Sequence, residues 1–557
     1  MLSRCLFVLW ASSALCELRL DPLVDTKQGL IKGLRADDGD YSMFLGIPYG
    51  RVEEENPFGA SQPYPKFDKV FEAYDDSAIC PQVEEFNNTI VGNLDCLHLN
   101  IYVPNSATSR NKLPVLVWIH GGGFNIGFGG RYLFGPKFLV RHDVVLVTIN
   151  YRLGPYGFMC LDLPDVAGNQ GLKDQALALK WIKENIEEFG GNSNKITIFG
   201  ESAGAASVEF HLLYNQEKFY NQAILQSGSV FGSWVMTESD NTIPLKIAAQ
   251  LGYETDDVRE ALEFLKTTDE KLVIAASTEL SLNLRPCVEK EFENVARFIH
   301  THPINIDTVT KAKNMPILTG FNSQEELLSY IKLSEKDYES LYPFEDLLGL
   351  IFDMEQLKGL DLVRHFYIGD DKVTSDVKWD LINFNSDIRF NYGIERSLGR
   401  FLESGGNVYQ YLFSYTGGRN FVKRRLEVTE GGAAHADELG YIFDMSIFED
   451  PNEEDKLIVD RMTTIWTNFA KYGNPTPEVT DLLPISWPEA TKDSLNFLNI
   501  DTELTIGNRP YIETRRELCF LAVLIKFRRI LEHPVNLFLI HTLYRLAFHI
   551  EYIRKPL

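Results

Sequence analysis

The stretch Gly200-Glu201-Ser202-Ala203-Gly204 constrains the fold of this chain more than any other. Before it, Lys195-Ile196-Thr197-Ile198-Phe199 is β-branched and aromatic and reads as a short buried strand, entered from the turn-forming Gly190-Gly191-Asn192-Ser193-Asn194. After it, Ala205 to Leu213 reads as a helix. A strand that runs directly into a helix must bend sharply, which crowds the residue at the bend and leaves its side chain projecting. Small residues on either side of the serine let strand and helix approach that closely. Ser202 is therefore expected on a strained elbow, its hydroxyl exposed at a helix N-terminus. Gly, Ser and Ala are common, so G-x-S-x-G alone is a weak signal; the strand and the helix around it give it weight.

A second motif lies well upstream. The apolar strand Leu113-Pro114-Val115-Leu116-Val117-Trp118-Ile119 runs into His120-Gly121-Gly122-Gly123-Phe124. Consecutive glycines lose much backbone entropy on folding, which suits a loop whose amides must come close to something. One reading is a flexible turn. The other is an oxyanion hole in which the backbone N–H groups of Gly122 and Gly123 are joined by that of Ala203, the residue after the serine. Together the two motifs point to acyl transfer.

These residues are joined by Phe44-Leu45-Gly46-Ile47-Pro48-Tyr49, Asp95-Cys96-Leu97-His98-Leu99-Asn100, Asn150-Tyr151-Arg152-Leu153-Gly154 and Gly432-Ala433-Ala434-His435-Ala436-Asp437-Glu438-Leu439. The set resembles the type-B carboxylesterases of the cholinesterase-like α/β-hydrolase family, with the texture of its insect members. The resemblance runs from about Leu20 to about Cys519. It implies an α/β fold, with a mostly parallel central sheet flanked by helices and carrying long insertions, over residues 17–517. It also implies a serine carboxylesterase that hydrolyses small-molecule carboxylic esters through an acyl-enzyme, with neither metal nor organic cofactor.

A serine hydroxyl is too weak an acid to attack an ester unaided and needs a histidine base oriented by a carboxylate. Of 11 histidines, His98, His142 and His211 fall in apparent structural elements, and His120 precedes the glycine loop and would help to hold it. His300 and His302 lie in an insertion, His365 in a helical stretch. His435 follows the strand-like run Val408 to Tyr415 and sits in a small-residue loop after Gly431-Gly432. Loops at the ends of sheet strands are where an α/β fold places its chemistry. On local sequence a solvated loop histidine is an equal reading; the resemblance of Gly432 to Leu439 favours the base. For the acid, the strand Pro316 to Gly320 leads into Phe321-Asn322-Ser323-Gln324-Glu325-Glu326. The resemblance places the acid at Glu325. The family usually follows it with glycine, where this chain has Glu326, so Glu326 is the alternative. The chain order Ser202, Glu325, His435 is that of α/β-hydrolases. Glu201 resembles a family residue that tunes the pocket; its plain role is a hydrogen bond to the elbow.

The 557 residues carry a net charge of −24, from 54 basic and 78 acidic residues, which disfavours nucleic acid or an anionic membrane as partner of the main body. Met1 to Cys16, with Arg4 ahead of a short apolar core and Ala14 and Cys16 flanking a cleavage site, is expected to be a secretory signal. The protein is accordingly expected outside the cell. The resemblance implies a first disulfide, Cys80–Cys96, which an oxidising compartment permits. Cys160, Cys287 and Cys519 are expected as buried free thiols, and none of the cysteine spacings suggests zinc. Asn87-Asn88-Thr89 makes Asn87 a glycosylation candidate on the surface of the Cys80–Cys96 loop. Thr237 to Lys311 turns helical and polar and is expected as an insertion over the active site.

Residues 518–557 depart in character. From Leu521 they hold six basic residues against two acidic ones, and Val535, Leu539, Leu543, Leu546, Ile550 and Ile553 share one helical face. A helix packed on the main domain, a membrane-surface or subunit contact, and an altered reading frame all fit this basic amphipathic tail. Two other functions compete with the esterase reading. A catalytically inactive adhesion or binding protein of the same family usually lacks part of the Ser–Glu–His set. A juvenile-hormone-type esterase favours glutamine where Glu201 stands.

Overall fold

In the computed structural model, which describes residues 21–214, 217–351 and 360–510, the apolar runs become strands of one eleven-stranded sheet. The expected N-terminal signal and the C-terminal tail with Cys519 lie outside the described residues. In chain order the strands are β1 (Leu34–Arg35), β2 (Tyr41–Pro48), β3 (His98–Pro104), β4 (Leu113–Ile119), β5 (Val145–Ile149), β6 (Gly191–Glu201), β7 (Gln222–Gln226), β8 (Pro316–Asn322), β9 (Asn407–Phe413), β10 (Asn496–Ile500) and β11 (Thr505–Asn508). Across the sheet they run β1-β2-β3-β5-β4-β6-β7-β8-β9-β10-β11. Every pairing from β5 to β10 is parallel, and the two edges are antiparallel.

Side chains alternate across a strand, so a central parallel strand must be apolar on both faces. β4 and its neighbours obey this. Val115, Val117 and Ile119 join Val145, Val147, Ile196 and Ile198 in one core, while Leu116 and Trp118 join Leu146, Phe199 and Ile224 in the other. The first core is closed by the helices Gln170–Asn185 and Ala203–Leu213, the second by the helix Glu453–Tyr472. That last helix starts where the Asn452 side chain accepts the backbone N–H of Asp455, and three acidic residues in its first turn complement the helix dipole. It buries Ile458, Met462, Ile465, Trp466 and Phe469 at helical spacing. A third, separate core is built on Leu327, Tyr330, Phe344, Leu381 and Phe384.

The Asn-Tyr-Arg motif has a structural cause. Arg152 and Asp174 form a fully buried two-pronged pair, Nε to Oδ2 at 2.7 Å and Nη2 to Oδ1 at 2.8 Å. The remaining guanidinium nitrogen donates to the carbonyls of Pro57 and Gly59, so the buried charges are satisfied.

Cys80 and Cys96 are bonded, as the resemblance implied, with Cα atoms 5.0 Å apart. Closing that loop stabilises the fold by ~3 kcal/mol in the chain-entropy account. The expectation of free thiols at Cys160 and Cys287 is corrected: they form a second disulfide, Cα atoms 6.4 Å apart. Asn169 brings the distant segment in, its side chain donating to Cys287 O at 2.8 Å and accepting from Cys287 N at 3.0 Å. No local spacing announces a pair separated by 127 positions.

Candidate active site

β6 ends at Glu201 and a helix starts at Ala203, leaving Ser202 alone at the bend. Its φ of 57° and ψ of −123° are strained for a residue with a side chain, as the elbow required. The close approach is measurable: a Cβ on Gly204 would lie 2.1 Å from Ile119 O, at the end of the neighbouring strand β4. The Ser202 N–H donates to Gln226 O at 2.9 Å, which pins the bend to β7.

The glycine loop leaves the end of β4 beside the elbow. Gly121 is so near that a Cβ on it would sit 3.1 Å from Ser202 Cβ, and Gly122 adopts a φ of +101°. The carbonyl of Gly122 accepts from the N–H groups of Asn125 and Ile126, and that of Gly123 from the Asn125 side chain, which fixes the orientation of these peptides. His120 anchors the loop. It stacks on Tyr151 at 4.4 Å, Tyr151 OH donates to its carbonyl, and burial depresses its pKa to about 4, so it stays neutral.

Glu325 follows the end of β8, and His435 lies in the loop after β9. The imidazole Nδ1 donates to Glu325 Oε2 at 2.6 Å, and the other Glu325 oxygen accepts the N–H of Asn322 at 2.6 Å. Glu326 faces away from the histidine, toward Arg389. The remaining imidazole nitrogen, Nε2, lies 3.1 Å from Glu201 Oε1. Burial by itself pulls the His435 pKa down, but the Glu201 charge, the bond to Glu325, and Glu438 behind it outweigh burial and raise it above the usual histidine range. Burial pushes Glu201 up in turn, with His435 opposing. Glu438 is held by Asn322 and Gln226.

These groups line one cavity of about 350 Å³. Ser202, His435, Glu325, Glu201, Gly122 and Gly123 all contribute, with apolar walls from Phe128, Phe134, Leu328, Phe390, Phe421 and Leu439. The expected roof is corrected. Residues 237–311 are helical as expected, in Ile243–Gln250, Val258–Lys266 and Glu270–Glu279, but none of them lines the cavity. The roof comes instead from Glu85 in the first disulfide loop, Leu328, Phe390 and the segment Phe421–Arg425. Sequence reading missed Phe390 and Arg425, because both reach the cavity only through tertiary packing. Arg425 is already neutralised there by an ion pair to Glu85. Asn87 is exposed on its disulfide loop. Among the described residues there is no group of three or more acidic, histidine or cysteine side chains that could hold a metal ion.

A sequence model described as the Carboxylesterase family matches residues 20–517. The chain belongs to the carboxylesterase family. Membership supports a carboxylic ester hydrolase, and the eleven-stranded sheet is the α/β-hydrolase fold. This carboxylesterase is 32% identical over 500 residues to Esterase E4 of Myzus persicae, covering 85% of this chain and 89% of that one. It is 31% identical to the juvenile hormone esterase of Tribolium castaneum, over 86% of each chain. Among solved structures it superposes on the juvenile hormone esterase of Manduca sexta with OTFP covalently attached, with a TM-score of 0.80 and 28% identity, covering 91% of this chain and 100% of that chain.

Proposed function

We propose that this protein is a secreted serine carboxylesterase whose nucleophile, base and acid are Ser202, His435 and Glu325, carried on a hydrolase domain spanning 17–517. The observation that carries the reading is the 2.6 Å Nδ1–Glu325 bond of an imidazole that shares a cavity with the elbow serine. In its neutral form a histidine so held carries its proton on Nδ1, which leaves Nε2 able to take one. His435 removes the Ser202 proton as Oγ bonds to the ester carbonyl carbon. The negative oxygen that results is met by the N–H groups of Gly122, Gly123 and Ala203, and each such donor is typically worth ~2.7–4 kcal/mol. His435 then passes the proton to the departing alkoxide, leaving an acyl group on Ser202. Water, deprotonated by the same nitrogen, completes the cycle. OTFP attached covalently to the Manduca sexta relative supports a covalent route.

Glu201 competes for Nε2 in the resting site, and hydrogen bonds around a base commonly tighten only when substrate is present. Its charge holds His435 protonated to higher pH, so activity should emerge late on the acid side. Glu201→Gln is expected to move the acid limb of kcat/KM down by ~1–3 pH units, the range for removing an adjacent opposite charge. An acid limb that stays in place would remove Glu201 as the cause. Glu325 and Glu438 also face the imidazole, and they remain in that variant.

The apolar walls and the paired state of Arg425 favour neutral esters. Two disulfides support an oxidising, extracellular compartment. No described helix is long and apolar enough to cross a membrane, and the exposed Asn87 is the proposed glycan site. Cationic choline esters should gain little. Recognition of quaternary ammonium needs an open aromatic face, which in the cholinesterase-like enzymes the chain resembles sits inside the first disulfide loop. Between Cys80 and Cys96 the sole aromatic residue is Phe86, and the Arg425 guanidinium already lies 5.8 Å from its ring centre. The test is a panel of esters of graded size, with the acylated peptide identified by mass spectrometry. Acyl adducts should map to Ser202, and acetylthiocholine should exceed an equally sized neutral thioester by less than about fivefold, the effect of ~1 kcal/mol. An adduct on another residue would sink the mechanism; strong choline selectivity would sink the substrate class.

A further inference from the structure

Glu325 and Glu326 are adjacent, yet they grip different elements. Glu325 Oε2 takes the His435 Nδ1 proton. The Glu326 carboxylate turns away, its Oε1 2.7 Å from Arg389 Nε, while its backbone N–H donates to Ser386 Oγ at 3.0 Å. Ser386 ends the helix Lys378–Ser386, and Arg389 sits in the π-helical turn Asp387–Asn391 that joins it to the helix Tyr392–Glu403. A π turn adds one residue to the helical circuit, which turns the side chains within and after it away from where an unbroken α-helix would point them. The residue it aims here is Phe390. Its ring rests on the His435 imidazole, with centroids 4.5 Å apart and planes at 40°.

Isolated π turns are rare and need tertiary support. This one is held at several points: Tyr367 OH donates to Asp387 Oδ2 at 2.8 Å, Asn391 Nδ2 to Asp387 Oδ1 at 2.8 Å, and Trp234 Nε1 to Arg389 O at 3.1 Å. The Glu326–Arg389 pair, together with the Glu326 N–H to Ser386 Oγ bond, links it to the loop carrying Glu325. The Glu326 side chain is 10% exposed and that of Arg389 37%, so the carboxylate end of the pair is sheltered while the guanidinium reaches solvent. The pair also accounts for a glutamate where the family usually has glycine.

We propose that Glu326 and Arg389 are positioning residues: their ion pair seats the π turn so that Phe390 holds one face of the His435 ring while Glu325 holds its Nδ1. This rests on the reading of His435 as the general base. Glu326→Gln, Arg389→Met and Phe390→Leu, alone and combined, should be compared by kcat per active site titrated with an organophosphate. Each single change is expected to lower kcat about tenfold, equivalent to ~1.4 kcal/mol, with KM moving less than about twofold. Glu326→Asp, which keeps the charge, should recover most of the loss. In the Phe390→Leu background, Glu326→Gln should cost nothing more, because the path through the ring is already broken. A merely structural pair would lower the yield of titratable sites and leave kcat per site alone. Unchanged kcat in Glu326→Gln, or losses that multiply with that of Phe390→Leu, would overturn the proposal. If Arg389→Met gives no folded protein, Glu326→Gln and its aspartate counterpart decide the matter. His435→Asn separates the two readings. Turnover that survives it overturns both, whereas an inactive His435→Asn beside an unaffected Glu326→Gln overturns only the clamp.

Discussion

Ser202→Ala is expected to lower kcat by about 10⁶-fold, the scale seen when the nucleophile of a Ser–His–acid set is removed. Labelling by an organophosphate should disappear with it. The fold should survive, because alanine keeps the Cβ at the same strained φ and the backbone bond from residue 202 to Gln226 O needs no hydroxyl. A residual rate ~10³–10⁴ above water should remain, since the glycine loop and the apolar walls are untouched. Far-ultraviolet dichroism and the melting temperature should match the wild type. If the folded alanine variant still takes up the organophosphate, the nucleophile lies elsewhere.

The second large effect is expected at the acid. Glu325→Gln should cost ~10³–10⁴ in kcat, because an amide can present its N–H to Nδ1 and so favour the wrong imidazole tautomer. Stability should fall as well. Glu325 is fully buried and its other oxygen accepts the Asn322 N–H, so an amide turned the wrong way leaves a buried donor without a partner. The contrast with Glu326→Gln, expected to lose only about tenfold in kcat (~1.4 kcal/mol), is the informative measurement. Two adjacent glutamates differ here because one faces the imidazole and the other faces Arg389. Equal losses at both positions would show that the assignment of the acid is wrong.

Much of this was legible in the residues. Val115 to Ile119 and Val145 to Ile149 read as central strands, because runs this short, apolar and β-branched suit a parallel strand buried on both faces. Ser202 could be read from its flanking glycines, since the same steric demand that excludes a Cβ at Gly204 shapes the motif. Glu325 and His435 came less from local pattern than from resemblance, each being a polar residue in a loop like many others. The Cys160–Cys287 bond and the π turn under Phe390 were hidden. Both depend on which surfaces meet after folding, and neither leaves a period or spacing in the chain. The roof over the cavity was misplaced for the same reason. The polar helices of 237–311 look like a cover in sequence, whereas the residues that close the cavity come from short segments with no regular pattern.

The second disulfide has a topological consequence. Ser202 lies inside the loop that Cys160 and Cys287 close, while Glu325 and His435 lie beyond it. A protease that nicks the backbone once between those cysteines leaves a single covalent molecule, with the severed ends tethered across the break. One cut between 325 and 435 instead leaves Glu325 and His435 on separate polypeptides, with no disulfide among the described residues spanning the break. Among the described residues, Ser202 alone of the three sits within a disulfide-closed loop that would hold it in place after a single cut.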